Sequence, residues 1–202
     1  MNGRAFKLGT FAKAGGAPFP ALVLDDTAIE LAQAAKASGK SGLSTTASIQ
    51  GLLDGWDKNF SVLQEIVAFL DKDGAKPGAA AVTSLTALPP VARPGKMFYA
   101  AQNFQEHVDE MLRAGMTPKE GPKFTGEKST SDPYLFLKAP SCLAGAHDDI
   151  EIPRGLKRID WEAEIALAIS KPGYDSYDMA DEVGRVVATD EVGRVGTADE
   201  GR

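Results

Sequence analysis

The chain has 202 residues, 43% of them hydrophobic and 25% charged, which is the balance of an ordinary folded protein and enough for one large domain or two small ones. Acidic residues outnumber basic ones, 28 to 22, so the net charge of −6 leaves no basic excess to neutralise nucleic-acid phosphates. No apolar run approaches the ~20 residues that cross a bilayer, and one cysteine, Cys142, excludes an internal disulfide and a cysteine-rich zinc site and makes a reducing, cytoplasmic setting the expectation.

Arg4, Lys7 and Lys13 precede the first acidic residue, Asp25, a start that can read as a transit peptide. The better reading is a hairpin: Phe6-Lys7-Leu8, the breaker Gly15-Gly16, then Ala21-Leu22-Val23-Leu24. Asp25-Asp26 makes a turn, and Ala28-Ile29-Glu30-Leu31 continues with strand alternation, so residues 1 to about 35 read as short strands. Ser38 to Gly42 is a loop. From Ile49 to Leu70, apolar residues recur at steps of three and four, the pattern of a helix with one buried face. Gly51 and Gly55 weaken its first half, which predicts two helices broken near Lys58, and Gly74 is a natural stop. Residues 1–75 thus read as a small α/β domain, and 76–94, with Pro77, Pro89, Pro90 and Pro94, as a Pro/Ala linker.

The second region, 95–202, opens on Lys96 to Ala101, a buried strand candidate. Asn103 and Glu106 then form an Asn-x-x-Glu variant of the capping box, starting a helix whose apolar stripe is Phe104, Val108 and Met111. A polar stretch from Ala114 to Asp132 has the composition of a functional loop. Strand candidates follow at Tyr134–Lys138, Asp149–Ile152 and Ile159–Ile169. From about 181 the chain turns low-complexity: Asp181-Glu-Val-Gly-Arg-Val recurs nine residues later from Asp190.

Two constellations carry chemistry. Between Ile159 and Ile169, alternation puts Asp160, Glu162, Glu164, Ala166 and Ala168 on one face and Ile159, Trp161, Ile165, Leu167 and Ile169 on the other. Glu162 and Glu164 then stand about 6–7 Å apart at their Cα atoms, and a hard divalent cation would relieve their repulsion. The commoner meaning of such spacing is a half-buried strand with a wet acidic face; the small apolar Ala166 and Ala168 argue instead that this face is partly covered. The second constellation is His107 with Glu110, spaced i, i+3 so that the side chains can meet, as suits a general base and the carboxylate that orients it. A solvated helix face carrying an incidental pair fits the same spacing. His147 reads as part of a polar surface turn.

Taken together, Met97-Phe98-Tyr99-Ala100-Ala101-Gln102-Asn103-Phe104-Gln105-Glu106-His107-Val108-Asp109-Glu110-Met111, Pro133-Tyr134-Leu135-Phe136-Leu137-Lys138-Ala139-Pro140-Ser141 and Ile159-Asp160-Trp161-Glu162-Ala163-Glu164-Ile165-Ala166-Leu167-Ala168-Ile169 resemble the fumarylacetoacetate hydrolase family. They are similar to its Asn-aromatic-x-x-His-x-x-Glu helix, its Phe-Leu-Lys-x-Pro strand and its Glu-x-Glu strand, in the same order.

The resemblance implies an α+β protein, the small N-terminal α/β domain being followed by a β-rich catalytic domain built as a mixed-sheet roll. It also implies that this roll is incomplete at the C-terminus, because family members continue well past this point. It implies Mg²⁺ (or Mn²⁺ or Ca²⁺) held by Glu162, Glu164 and, at the family's spacing of Gly, Asp and Arg, Asp190. His107 and Glu110 become the catalytic pair, and Lys138 and Asn103 the substrate contacts. The implied activity is hydrolysis of a carbon–carbon bond in a β-diketone or acylpyruvate-type 2-oxo acid. Hydration or dehydration, isomerisation and decarboxylation of a 2-oxo acid are alternatives on the same site, and an inactive truncated fragment is a third reading. The implied partners are a small 2-oxo acid and a second copy in a homodimer, with no nucleic acid and no membrane.

Overall fold

A computed structural model of the protein describes residues 4–74, 76–101, 104–115, 134–156 and 164–169. They fall into two compact units: 4–93 with 143–169, and 94–142.

The first unit is built on a five-stranded antiparallel sheet. Its strands are β1 (Lys7–Ala12), β2 (Phe19–Leu24), β3 (Thr27–Glu30), β4 (Ala79–Ala81) and β5 (Thr86–Leu88), in the order β4-β3-β2-β1-β5. β1 and β2 form the expected hairpin, with Leu8 opposite Leu22 and Phe11 opposite Phe19. The turn into β3 falls at Asp25-Asp26, and Asp25 takes a positive φ of 52°, which a short acceptor side chain tolerates. β2 is central and apolar on both sides, so it reads as a run and not as an alternation. Leu22 and Leu24 face one core together with Ile29, while Ala21 and Val23 face another with Phe11 and Ala28.

Helices α1 (Leu31–Ser38), α2 (Ile49–Leu53) and α3 (Trp56–Asp73) supply the first core. α1 was not expected: it is short and alanine-rich, and it starts directly at the end of a strand. α3 buries Trp56, Leu63, Ile66, Val67 and Leu70, the predicted stripe. It ends at Gly74, whose φ of 68° is the left-handed cap an L side chain resists. The break between α2 and α3 lies at Asp54-Gly55, earlier than the expected position near Lys58. Ser48 caps α2 by accepting the Gly51 N–H at 3.1 Å. Gly55 leaves room for the buried Asn59 amide, which donates to Ser44 Oγ at 2.7 Å and to the Leu52 carbonyl at 2.8 Å, while its Oδ1 accepts the Ser44 N–H at 2.8 Å.

The Pro/Ala-rich stretch expected as a linker holds two strands of this sheet. Ala79–Ala81 pairs with β3, and Thr86–Leu88 pairs with β1. A 3₁₀ turn at Val82–Ser84 joins them, and Val82 and Leu85 pack on the second core. Farther along, Gly145 is buried against β5, where a Cβ would stand 2.5 Å from the Ala87 carbonyl oxygen. Its N–H donates to the Asp148 carboxylate at 2.7 Å, closing a tight turn.

The strand expected at Asp149–Ile152 is not seen: these residues are exposed, and no strand pairs with them among the described residues. Of the strand expected from Ile159 to Ile169, only 164–169 is described, and it carries a single bridge at Ala166.

The second unit holds a two-stranded antiparallel sheet of β6 (Phe98–Ala100) and β7 (Leu135–Leu137), with helix α4 (Gln105–Arg113). Tyr99 stands opposite Phe136. The ladder continues through the Ala101 N–H to the Tyr134 carbonyl at 2.9 Å and the Lys138 N–H to the Met97 carbonyl at 3.3 Å. The strand at 98–100 was expected to be buried, but Phe98 and Ala100 are exposed. The whole is α+β. Both sheets are antiparallel among the described residues, where the resemblance implied a mixed-sheet roll.

Candidate functional site

α4 carries the His107–Glu110 pair. Its cap is Phe104, with extended backbone and no side-chain hydrogen bond. Asn103 lies outside the described residues. Val108 is buried, which fixes one side of the helix inward. His107 and Glu110 stand one turn apart on its solvent side, 44% and 77% exposed. His107 Nδ1 is 3.9 Å from Glu110 Oε2. That exceeds a direct hydrogen bond but lies within the range of charge attraction.

Lys138 follows β7 directly. Its Nζ lies 4.4 Å from the Tyr99 ring centroid and 5.8 Å from that of Phe136. The two rings stack with centroids 5.3 Å apart at 27°. Strand geometry produces this cluster. Phe136 and Lys138 are two residues apart and share a face, and Tyr99, opposite Phe136, joins them there. Residue-by-residue reading missed Tyr99 and Phe136 as neighbours of Lys138, because the contact needs the pairing register of strands far apart in sequence.

The acidic set is described only at Glu164, which is exposed. Glu162 and Asp190 lie outside the described residues. Among the described residues, no three His, Cys, Asp or Glu side chains gather as a metal-binding group. The residues after Glu164 reveal which face is covered. Ala166 and Ala168 are half-buried, and Ala168 packs against the first core, whereas Ile165, Leu167 and Ile169 are 71%, 55% and 69% exposed. His147 is exposed in a turn, as expected, and Cys142, the chain's one cysteine, is exposed as well. No described helix is long and apolar enough to cross a membrane.

Comparison with known proteins bears on the same segments. The family described as Fumarylacetoacetate (FAA) hydrolase C-terminal matches residues 96–190. Maleylpyruvate hydrolase of Aquipseudomonas alcaligenes is 34% identical over 132 residues, 64% of this chain and 44% of that protein. Mitochondrial oxaloacetate tautomerase of Homo sapiens is 31% identical over 91 residues, 45% of this chain and 24% of that protein. An uncharacterized protein of Pyrococcus abyssi is 37% identical over 79 residues, 39% of this chain and 29% of that protein. The chain thus spans less than half the length of each of these relatives. His107, Glu110, Lys138 and Glu164 all fall inside residues 96–190, the stretch that matches the fumarylacetoacetate hydrolase family.

Proposed function

We propose that the chain is the metal-site-bearing part of an enzyme that hydrolyses a carbon–carbon bond in an acylpyruvate-type 2-oxo acid. The observation that carries this reading is the 34% identity over 132 residues to a maleylpyruvate hydrolase, over a stretch that contains the His107–Glu110 pair.

The chain's own residues would divide the work as follows. His107 Nε2 takes a proton from water, and Glu110 stabilises the imidazolium that forms. The water oxygen bonds to the distal carbonyl carbon. The bond between that carbon and the neighbouring methylene breaks, its electron pair passing to the methylene carbon as an enolate. His107 then returns the proton to that carbon, giving a carboxylic acid and pyruvate. Lys138 pairs with the substrate carboxylate, and Asn103 is proposed as a second contact. Glu162, Glu164 and Asp190 would supply an all-carboxylate donor set, which suits a hard divalent cation such as Mg²⁺ over a soft one. When bound, such a cation supplies Lewis-acid polarisation of the 2-oxo carboxylate. A cytoplasmic homodimer completes the proposal.

Likeness to an oxaloacetate tautomerase favours a second reading, in which His107 moves a proton between carbon and oxygen and no carbon–carbon bond breaks. The full chain incubated with Mg²⁺ and maleylpyruvate, with products identified by NMR, separates the two. Hydrolysis gives maleate and pyruvate. Tautomerisation leaves maleylpyruvate's carbon skeleton intact and, in a parallel run with enol oxaloacetate in place of maleylpyruvate, accelerates loss of the enol absorbance. In either case His107→Ala should slow turnover about 10²- to 10⁴-fold while calorimetric Mg²⁺ binding is retained. A normal rate in that variant would overturn the assignment of the base, and no heat on titrating millimolar Mg²⁺ would overturn the cation.

A further inference from the structure

We propose that Tyr99 is a positioning residue for Lys138: its ring, stacked on Phe136, holds the ammonium group in place to meet the carboxylate of the 2-oxo acid. The inference rests on the reading of Lys138 as the carboxylate partner and extends it to two aromatic residues with no assigned role.

A lysine side chain has four rotatable bonds and ordinarily samples many rotamers, which it must give up when it grips an anion. Here the ammonium lies 4.4 Å from the centroid of Tyr99, well inside the reach of attraction between a cation and a ring face. Phe136 contributes from 5.8 Å, and it also sets the tilt of Tyr99 by stacking at 5.3 Å and 27°. The backbone completes the mount: Tyr99 is paired with Phe136 across the ladder, and the Lys138 N–H is tied to the Met97 carbonyl. Lys138 is half-buried, so its stem is confined while its charge stays on the ring face. A ring over which a cation rests covers one side of that cation only. An ammonium has three N–H donors, so a cation resting on a ring keeps donors for a carboxylate, and ring and carboxylate need not compete.

The test uses the full chain with isotopically labelled lysine, saturating Mg²⁺ and pyruvate as the probe, followed by NMR. Protons over a ring face resonate upfield. The Lys138 Hε signal, assigned with Lys138→Met, should therefore lie upfield in the wild type and in Tyr99→Phe and return to its ordinary position in Tyr99→Leu. Pyruvate should move that signal in the wild type. Its Kd should be nearly unchanged in Tyr99→Phe and rise about two- to five-fold in Tyr99→Leu. If Tyr99→Leu loses its dispersed amide spectrum, Phe136→Leu is read by the same criteria. Wild-type affinity in the leucine variant, together with weakened binding in Lys138→Met, overturns the positioning role and leaves the reading of Lys138 standing. Wild-type affinity in Lys138→Met, or a Lys138 signal that pyruvate does not move, overturns both.

Discussion

Asn59 shows what a single residue does in this fold. It is fully buried, and its amide makes three hydrogen bonds that tie the Ser44 loop to the junction of α2 and α3. Asn59→Leu keeps the branched shape but leaves the Ser44 N–H without its acceptor, so it should cost about 1–3 kcal/mol in urea unfolding. Trp56 is the converse case: its buried Nε1 finds no acceptor among the described residues. Trp56→Phe removes that donor along with some ring area, and the loss should stay below that of Asn59→Leu. The polarity of a sequence position does not reveal either role. Asn59 sits in the apolar stripe of α3, and only the neighbouring Gly55 hints that something approaches closely. The His107–Glu110 pair was legible because both residues lie on one helix, where spacing alone sets proximity. Tyr99 beside Lys138 was not, because strand register joins them.

At the scale of elements, legibility followed length. The stripe from Ile49 to Leu70 spans six turns of helix, and its periodicity outweighed two glycines. β4 and β5 have three residues each, made of Ala, Thr and Leu, and so short a segment has no period to read. They exist because the outer edges of β3 and β1 offer unpaired N–H and C=O groups. The stretch at Asp149–Ile152 had the better pattern and pairs with no strand among the described residues, since alternation by itself supplies no partner edge. The caps can be tested separately. Ser48→Ala removes the side-chain acceptor at the start of α2 and should cost about 1 kcal/mol. Gly74→Ala forces an L side chain to φ 68° at the end of α3 and should cost about as much, read from the same denaturation midpoint.

Across the whole molecule, apolar burial is uneven. The first unit covers both faces of β2 and, among the described residues, contains all the buried apolar side chains but Val108. Leu63→Ala, at the centre of that core, should cost about 2–5 kcal/mol. In the second unit Phe98, Phe104, Leu112, Tyr134, Leu135 and Leu137 are more than half exposed. Local opening is cheap where little apolar surface is buried. Hydrogen exchange followed by mass spectrometry should therefore find Phe19–Leu24 and Trp56–Asp73 protected longest, and Phe98–Ala100 and Leu135–Leu137 exchanged first. Slower exchange in the second pair would contradict the burial pattern. The hairpin of β1 and β2 and the long helix α3 were visible because their segments alternate or repeat locally. The second region is recognised by its motifs, whose partners lie far apart in the chain.

Cys142 gives this arrangement a practical use. It is the chain's sole thiol, it stands exposed four residues beyond Lys138, and a 3₁₀ turn at Pro140–Cys142 holds it. A maleimide fluorophore would attach at one address without prior mutagenesis, turning the unaltered polypeptide into its own optical sensor for events around the lysine. The same thiol makes air-oxidised, covalently linked pairs a foreseeable artefact, so sedimentation or gel-filtration work on self-association belongs in reductant.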